Sequence, residues 1–235
     1  MVVTAVFLGL FAVVGTTIVA LTYIGTESQI AENERQALLK SLHVLIPSEL
    51  HDNDIPEDII HVTAENLLGS DKPVAVYRAR KQDKAIAVIL APIAPDGYNG
   101  DIKLLVAISD KGVLMGVRVV SHRETPGLGD SIEIARSDWI KSFDGKSLQN
   151  PEGLGWRVRK DGGDFDQFTG ATITPRAIVK AVHKSLKYFN LNKQILLASN
   201  NVNVQKNDAH NNAAHKDDSK ETSKQNTDNH KGTEL

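Results

Sequence analysis

From Val2 to Ile24 the chain reads VVTAVFLGLFAVVGTTIVALTYI, an apolar run interrupted only by Thr, Gly and a single Tyr and carrying no charge. About 20 such residues in a helix cross the hydrocarbon core of a bilayer, and a helix satisfies all its backbone groups internally there. A cleaved signal peptide has a basic start, a shorter apolar core and a small-x-small cleavage site. Here no Lys or Arg precedes the run, and Tyr23-Ile24-Gly25-Thr26-Glu27 follows it. The expectation is an uncleaved anchor over residues 1–25. Few basic residues flank it, so the positive-inside rule has little to count. Glu27, Glu32 and Glu34 favour export of the remainder only weakly.

Beyond the anchor, Ile30, Leu38, Leu39, Leu42, Leu45 and Ile46 recur at helical spacing among Glu, Gln and Arg, and Pro47 ends the pattern. Such an amphipathic helix either docks on a partner or the bilayer surface, or packs on its own domain. The polar, acidic stretch up to residue 72 has no strong period, so 26–72 is read as this helix plus a connecting segment. Four strands are expected next: Val74–Arg80, Lys84–Ala91, Ile102–Ser109 and Val113–His122. Tight turns at Lys81–Asp83 and Asp110-Lys111-Gly112 join them, with a Pro/Gly-rich loop from Pro92 to Gly100. Short strands joined in this way predict a twisted antiparallel sheet with packed helices, an α+β domain over 73–198. Ser131–Phe143 reads as one or two short helices. Thr174 is expected to cap the last long helix, with Pro175 at its first position and Ile178, Val179, Val182, Leu186 and Phe189 on one face. Residues 199–235 are almost devoid of large apolar side chains and read as a disordered polar tail. Its His210, His215 and His230 have no fixed geometry behind them, so no metal site is expected.

Composition removes several kinds of chemistry. There is no cysteine, hence no disulfide, no thiolate nucleophile, no Cys-ligated iron–sulfur cluster and no flavin attached through sulfur. A formal net charge of −2 gives no basic surface for nucleic acid. No G-x-G-x-x-G follows a strand, so direct NADH binding is not expected.

The informative stretch runs from Asp161 to Pro175. Gly170 and Ala171 permit close backbone approach, and Thr169, Thr172 and Thr174 crowd together just before a helix. A helix start offers unpaired N–H groups and partial positive charge, a ready phosphate site. On the residues alone, a Thr-rich capping turn without a ligand remains the alternative. Glu124-Thr125-Pro126-Gly127-Leu128-Gly129-Asp130 forms a second candidate, a tight loop able to press backbone and the Leu128 side chain against a planar ring, or an ordinary turn. Glu124 could reach such a ring, where its charge would disfavour reduction. Tyr98 either stacks on the ligand or anchors its own loop. Trp139 and Trp156 are read as packing residues, and His122 as structural. Asp166 either hydrogen-bonds the Thr-rich turn or is read by a modifying enzyme, and Lys160 lies near enough in sequence to approach a phosphate.

The segment Asp166-Gln-Phe-Thr-Gly-Ala-Thr172-Ile-Thr174 resembles the S/T-G-A-T signature of the FMN-binding domain family. Taken with the anchor, Ala94-Pro-Asp-Gly-Tyr-Asn-Gly100 and Glu124–Asp130, the chain is similar to the G subunits of Rnf-type ion-translocating electron transport complexes. The resemblance implies FMN linked through its phosphate to Thr172 by a flavin transferase, with Thr169, Gly170, Ala171, Thr174, Glu124, Thr125, Gly127, Leu128, Gly129 and Tyr98 around it. It also implies a single-pass inner-membrane protein with its globular domain in the periplasm. Electrons would pass between NADH and ferredoxin through partner subunits, coupled to sodium or proton movement. Two other readings stay open: the C subunits of sodium-translocating NADH:quinone reductases, and a non-redox membrane-tethered assembly protein.

Overall fold

The computed structural model describes residues 2–198, so the expected polar tail and its histidines lie outside the described residues. Helix α1, Val2–Leu45, is unbroken. Its first part, Val2–Glu27, has a mean hydropathy of 2.4 and is long and apolar enough to cross a membrane. The same helix then continues into the domain, and Leu42, Leu45 and Ile46 are buried there. They pack with Ile55, Tyr77, Ala79, Ala87, Ile89, Leu105 and Ala107 on one face of the sheet. The amphipathic stretch therefore packs on its own domain at its C-terminal end.

The sheet has six antiparallel strands: β1 Ile59–Val62, β2 Val74–Lys81, β3 Lys84–Leu90, β4 Ile93–Gly97, β5 Gly100–Ser109 and β6 Leu114–Ser121. Strand β5 is the axis. Its Val106–Ser109 half pairs with β3 and its Gly100–Lys103 half with β4, both along one edge, while β6 runs along the other. Alternation is strict where both faces are covered. Ile102, Leu104, Val106 and Ile108 point to the main core, while Leu105 and Ala107 point towards α1.

Two strands escape the sequence pattern. The segment read as a connector carries β1, which pairs Ile59 with Tyr77 through Val62 with Val74, so the sheet begins before residue 73. Four residues are too few to display a period, and β1 exists because β2 offers it an edge. Strand β4 lies in the expected Pro/Gly-rich loop, and its pairing shifts register between Ala94 and Gly97, where Pro95 interrupts the ladder. The Ser131–Phe143 region forms two 3-10 segments, Gly129–Ile132 and Asp138–Phe143.

A single-turn helix α2, Glu65–Leu68, precedes β2. Helix α3, Ile173–Leu196, lies over the main core face with α2 packed beside it. Its expected stripe is buried throughout, with Ile178 and Val182 at 0% exposure. His183 on α3 stacks on the buried Trp156 ring, 5.1 Å between centroids and 7° from parallel. Burial, and to a lesser degree the nearby Lys187, lowers its pKa to about 4 from an ordinary 6.5.

At the far end of the sheet, the carboxylate of Asp58 lies between two β2 guanidinium groups, with Arg80 Nε at 2.5 Å and Arg78 Nε at 2.7 Å. All three side chains are buried. Arg78 and Arg80 also donate to the carbonyl of Ala198 just past α3, at 3.3 and 2.8 Å, tying strand to helix end.

The buried Asp58 cluster and the half-buried His183 both lead to measurable expectations. Asp58→Ala leaves two guanidinium groups without their carboxylate and should destabilise the domain by about 3–5 kcal/mol, read from denaturant midpoints. The unfolded chain binds the His183 proton more readily than the folded one, so stability is full above pH 6.5 and falls as pH drops towards 4. Melting curves over that range should show a smaller acid loss in His183→Gln than in the parent.

Candidate functional site

Three segments converge at the N-terminal end of α3 around an open cleft of about 420 Å³. The first is the turn leading into the helix. Ala171 N–H donates to the Phe168 carbonyl at 3.2 Å, and Gly170 takes φ +81, a left-handed conformation suited to glycine. A Cβ at Gly170 would also come within 3.3 Å of Leu128 Cδ2, so the turn and the facing loop are in close contact.

The second segment is the Glu124–Gly129 loop. The N–H groups of Leu128 and Gly129 both donate to the Thr125 carbonyl, at 3.1 and 3.0 Å, closing a tight turn through Gly127 at φ +78. Gly129 is buried against Glu124 and Thr174, where a Cβ would lie 2.8 Å from Glu124 Cβ and 3.0 Å from Thr174 Oγ1. The third segment is the β4–β5 hairpin tip. Asn99 N–H donates to Glu124 Oε1 at 3.0 Å, and Tyr98 beside it is 64% exposed on the rim.

The structure brings nine of the expected residues to this cleft: Tyr98, Glu124, Thr125, Leu128, Gly129, Gly170, Ala171, Thr172 and Thr174. Thr169 is exposed and lies outside the lining, as does Gly127, which shapes the loop. Ile173 joins the lining, and nothing in the sequence singles it out. At 46% exposed on the first residue of a helix, it resembles an ordinary surface position.

The three hydroxyls separate clearly. Thr174 is not the expected cap of α3, because the helix begins at Ile173 and Pro175 falls within its first turn, where a missing N–H costs nothing. Thr174 is instead 1% exposed, and its hydroxyl donates to Glu124 Oε2. Thr172 occupies the cap position in helical geometry, and its side chain makes no capping bond. Among the described residues its hydroxyl has no hydrogen-bond partner, and it lines the cleft. Glu124, 4% exposed, is engaged by both Thr174 and Asn99, so its carboxylate supports the loop in addition to lining the cleft.

Two cations in the first turns of α3 are paired with carboxylates. Arg176 holds Asp161 with contacts of 2.5 and 2.6 Å, which lowers the Asp161 pKa chiefly through that hydrogen bond. Lys180 is matched with Asp96 at 2.5 Å. The first-turn N–H groups of α3 lend the cleft positive character. Lys160 does not line the cleft. Asp166 points its carboxylate to Arg159 at 2.8 Å. His122 is structural: it accepts from Glu124 N–H at 3.0 Å through Nδ1 and faces Glu133 at 2.7 Å through Nε2. Trp156 is buried at 4% in an aromatic cluster with Phe143 and Phe165.

Comparison with known proteins sharpens this picture. The FMN-binding domain model matches residues 97–187, a span containing all three cleft segments, and an RnfG N-terminal region model matches residues 1–45. The G subunit of an ion-translocating oxidoreductase complex from Pseudomonas aeruginosa is 54% identical over 194 residues, covering 83% of this chain and 91% of that one. Proteins of the same name from Shewanella loihica and Vibrio atlanticus are each 48% identical, covering 82% and 81% of this chain and 91% of their own lengths. The chain belongs to the family of G subunits of ion-translocating oxidoreductase complexes.

Within the fold of this G-subunit family member, Gly129 sits against the contact that joins helix start and loop. Gly129→Ala should force Glu124 and Thr174 apart and destabilise the domain by about 1–3 kcal/mol, checked by chemical denaturation of the parent and variant.

Proposed function

We propose that this protein carries FMN as a phosphodiester on Thr172 and relays electrons as a single-pass inner-membrane component of an ion-translocating complex, with its domain on the periplasmic side. The observation that carries the reading is the Thr172 hydroxyl: unpaired among the described residues, lining the cleft and placed at the start of a 24-residue helix. Thr169 lies outside the cleft and Thr174 is committed to Glu124, so Thr172 is the hydroxyl of the signature left to accept a phosphoryl group.

The residues present suit FMN. The cleft volume of about 420 Å³ falls in the range of small-molecule sites. The first-turn N–H groups of α3 favour a phosphate, and Gly170 and Ala171 leave room for it. Leu128, Ile173 and Tyr98 give the cleft apolar surface suited to a flat ring. FMN bound here would supply the capacity to accept and pass on electrons, while the protein fixes its position and electrostatic surroundings. Glu124 places a carboxylate at the cleft wall, where negative charge opposes a gain of further negative charge.

Attachment needs an activated donor, since joining a hydroxyl to a free phosphate in water is uphill. A flavin dinucleotide meets that need. Thr172 Oγ bonds to the flavin-side phosphorus, the phosphoanhydride P–O bond breaks, and the nucleotide monophosphate leaves. The hydroxyl proton passes to a base of the transferase. Electrons then arrive from and leave to neighbouring subunits, on the NADH and ferredoxin side of the complex, coupled to sodium or proton movement. The names of the relatives support this complex over a quinone reductase.

Co-expression with a flavin transferase followed by peptide mass spectrometry tests the assignment. The Thr172 peptide should gain one FMN less water, Thr172→Ala should lose the adduct, and Thr172→Ser should keep it. An adduct persisting in Thr172→Ala defeats the reading.

A further inference from the structure

Trp139 lies outside the cleft, and its indole contacts the turn that forms one of its walls. Its indole N–H donates to the Asp166 carbonyl at 2.8 Å, and its ring meets Phe168 edge-on with centroids 5.1 Å apart. Phe168 is the residue whose carbonyl closes the turn onto Ala171. The turn carrying Thr172 is thus held by one polar and one aromatic contact to the same side chain.

The backbone N–H of Trp139 is tied, through Ser137, to the segment that follows the glycine loop. Ser137 Oγ accepts from Trp139 N–H at 3.2 Å and donates to the Ser131 carbonyl at 2.7 Å. Ser131 belongs to the 3-10 segment that continues the loop from Gly129. Behind Trp139, Phe143 packs edge-on at 5.4 Å and is itself stacked on Phe165 at 4.6 Å, so the indole rests on a fully buried support.

We propose that Trp139 is a positioning residue for flavin attachment: it holds the Asp166–Thr172 turn in the single arrangement that presents the Thr172 hydroxyl to the transferase. The inference rests on the Thr172 reading above. Without the brace the turn samples other arrangements, and only the fraction in the competent one is productive. Apparent affinity for the transferase then falls in proportion to that fraction, while turnover of the bound, correctly arranged chain is unchanged.

The test uses the full chain in detergent with a flavin transferase and a flavin dinucleotide, and follows adduct formation by mass against time. Trp139→Phe removes the N–H donor and keeps an aromatic edge; Phe168→Leu removes the edge contact from the other side. Each should raise KM for the chain by about tenfold with kcat near the parent value, at temperatures well below each variant's melting point. The two substitutions remove different contacts, the indole N–H bond to Asp166 and the ring edge against Phe168, so the double variant should be more impaired than either single one. Parent kinetics in Trp139→Phe, or a loss confined to kcat, overturns the proposal. If Trp139→Phe does not fold, Phe168→Leu carries the same two outcomes. A parent chain that gains no adduct at all refutes the Thr172 assignment itself, a result distinct from either.

Discussion

The hydrogen bond from Thr174 to Glu124 is the joint on which the cleft depends. It lies under Gly129 and fastens the first turn of α3 to the glycine loop, while Asn99 fastens the same carboxylate to the hairpin tip. A buried carboxylate with few partners would be costly, and here both oxygens are satisfied by donors from different segments. Three chain stretches far apart in sequence thereby share one anchor. The burial of α3 along the sheet fixes where that anchor stands.

This arrangement explains a division of labour among neighbouring threonines. Two hydroxyls two residues apart on a helix start point in different directions, so one is spent on structure and the other is left facing the cleft. The sheet supplies the base: β5 is paired along both edges and buried from Leu104 to Ile108, and the cleft loops gather at its Gly100 end. The buried Asp58 and its two arginines close the opposite end of α3, so the helix is held at both termini.

Much of this was legible in the residues. The apolar run announced the long helix, short runs between tight turns announced four strands, and the stripe from Ile178 to Phe189 announced α3 with its buried face. The Thr-Gly-Ala-Thr turn and the Glu124–Asp130 loop marked both walls of the cleft, because left-handed glycines and crowded hydroxyls leave a local trace. What stayed hidden depends on distant partners. Strand β1 needs β2 to exist, and β4 tolerates Pro95 only because β5 holds it on either side of the shift. Thr174 looked like a cap because sequence shows its neighbours along the chain and not Glu124 fifty residues away. The charge cluster at Asp58 and the reach of Trp139 across to Asp166 belong to the same class of contact.

The continuity of α1 has a mechanical consequence. Between Thr26 and Leu45 there is neither glycine nor proline, and at roughly 1.5 Å per residue the buried Leu42 stands on the order of 20 Å beyond the apolar segment. A loose tether would let the head sweep between distant stations. A stiff stalk instead sets a fixed altitude above the lipid, so whatever exchanges electrons with this head must be built to meet it at that height.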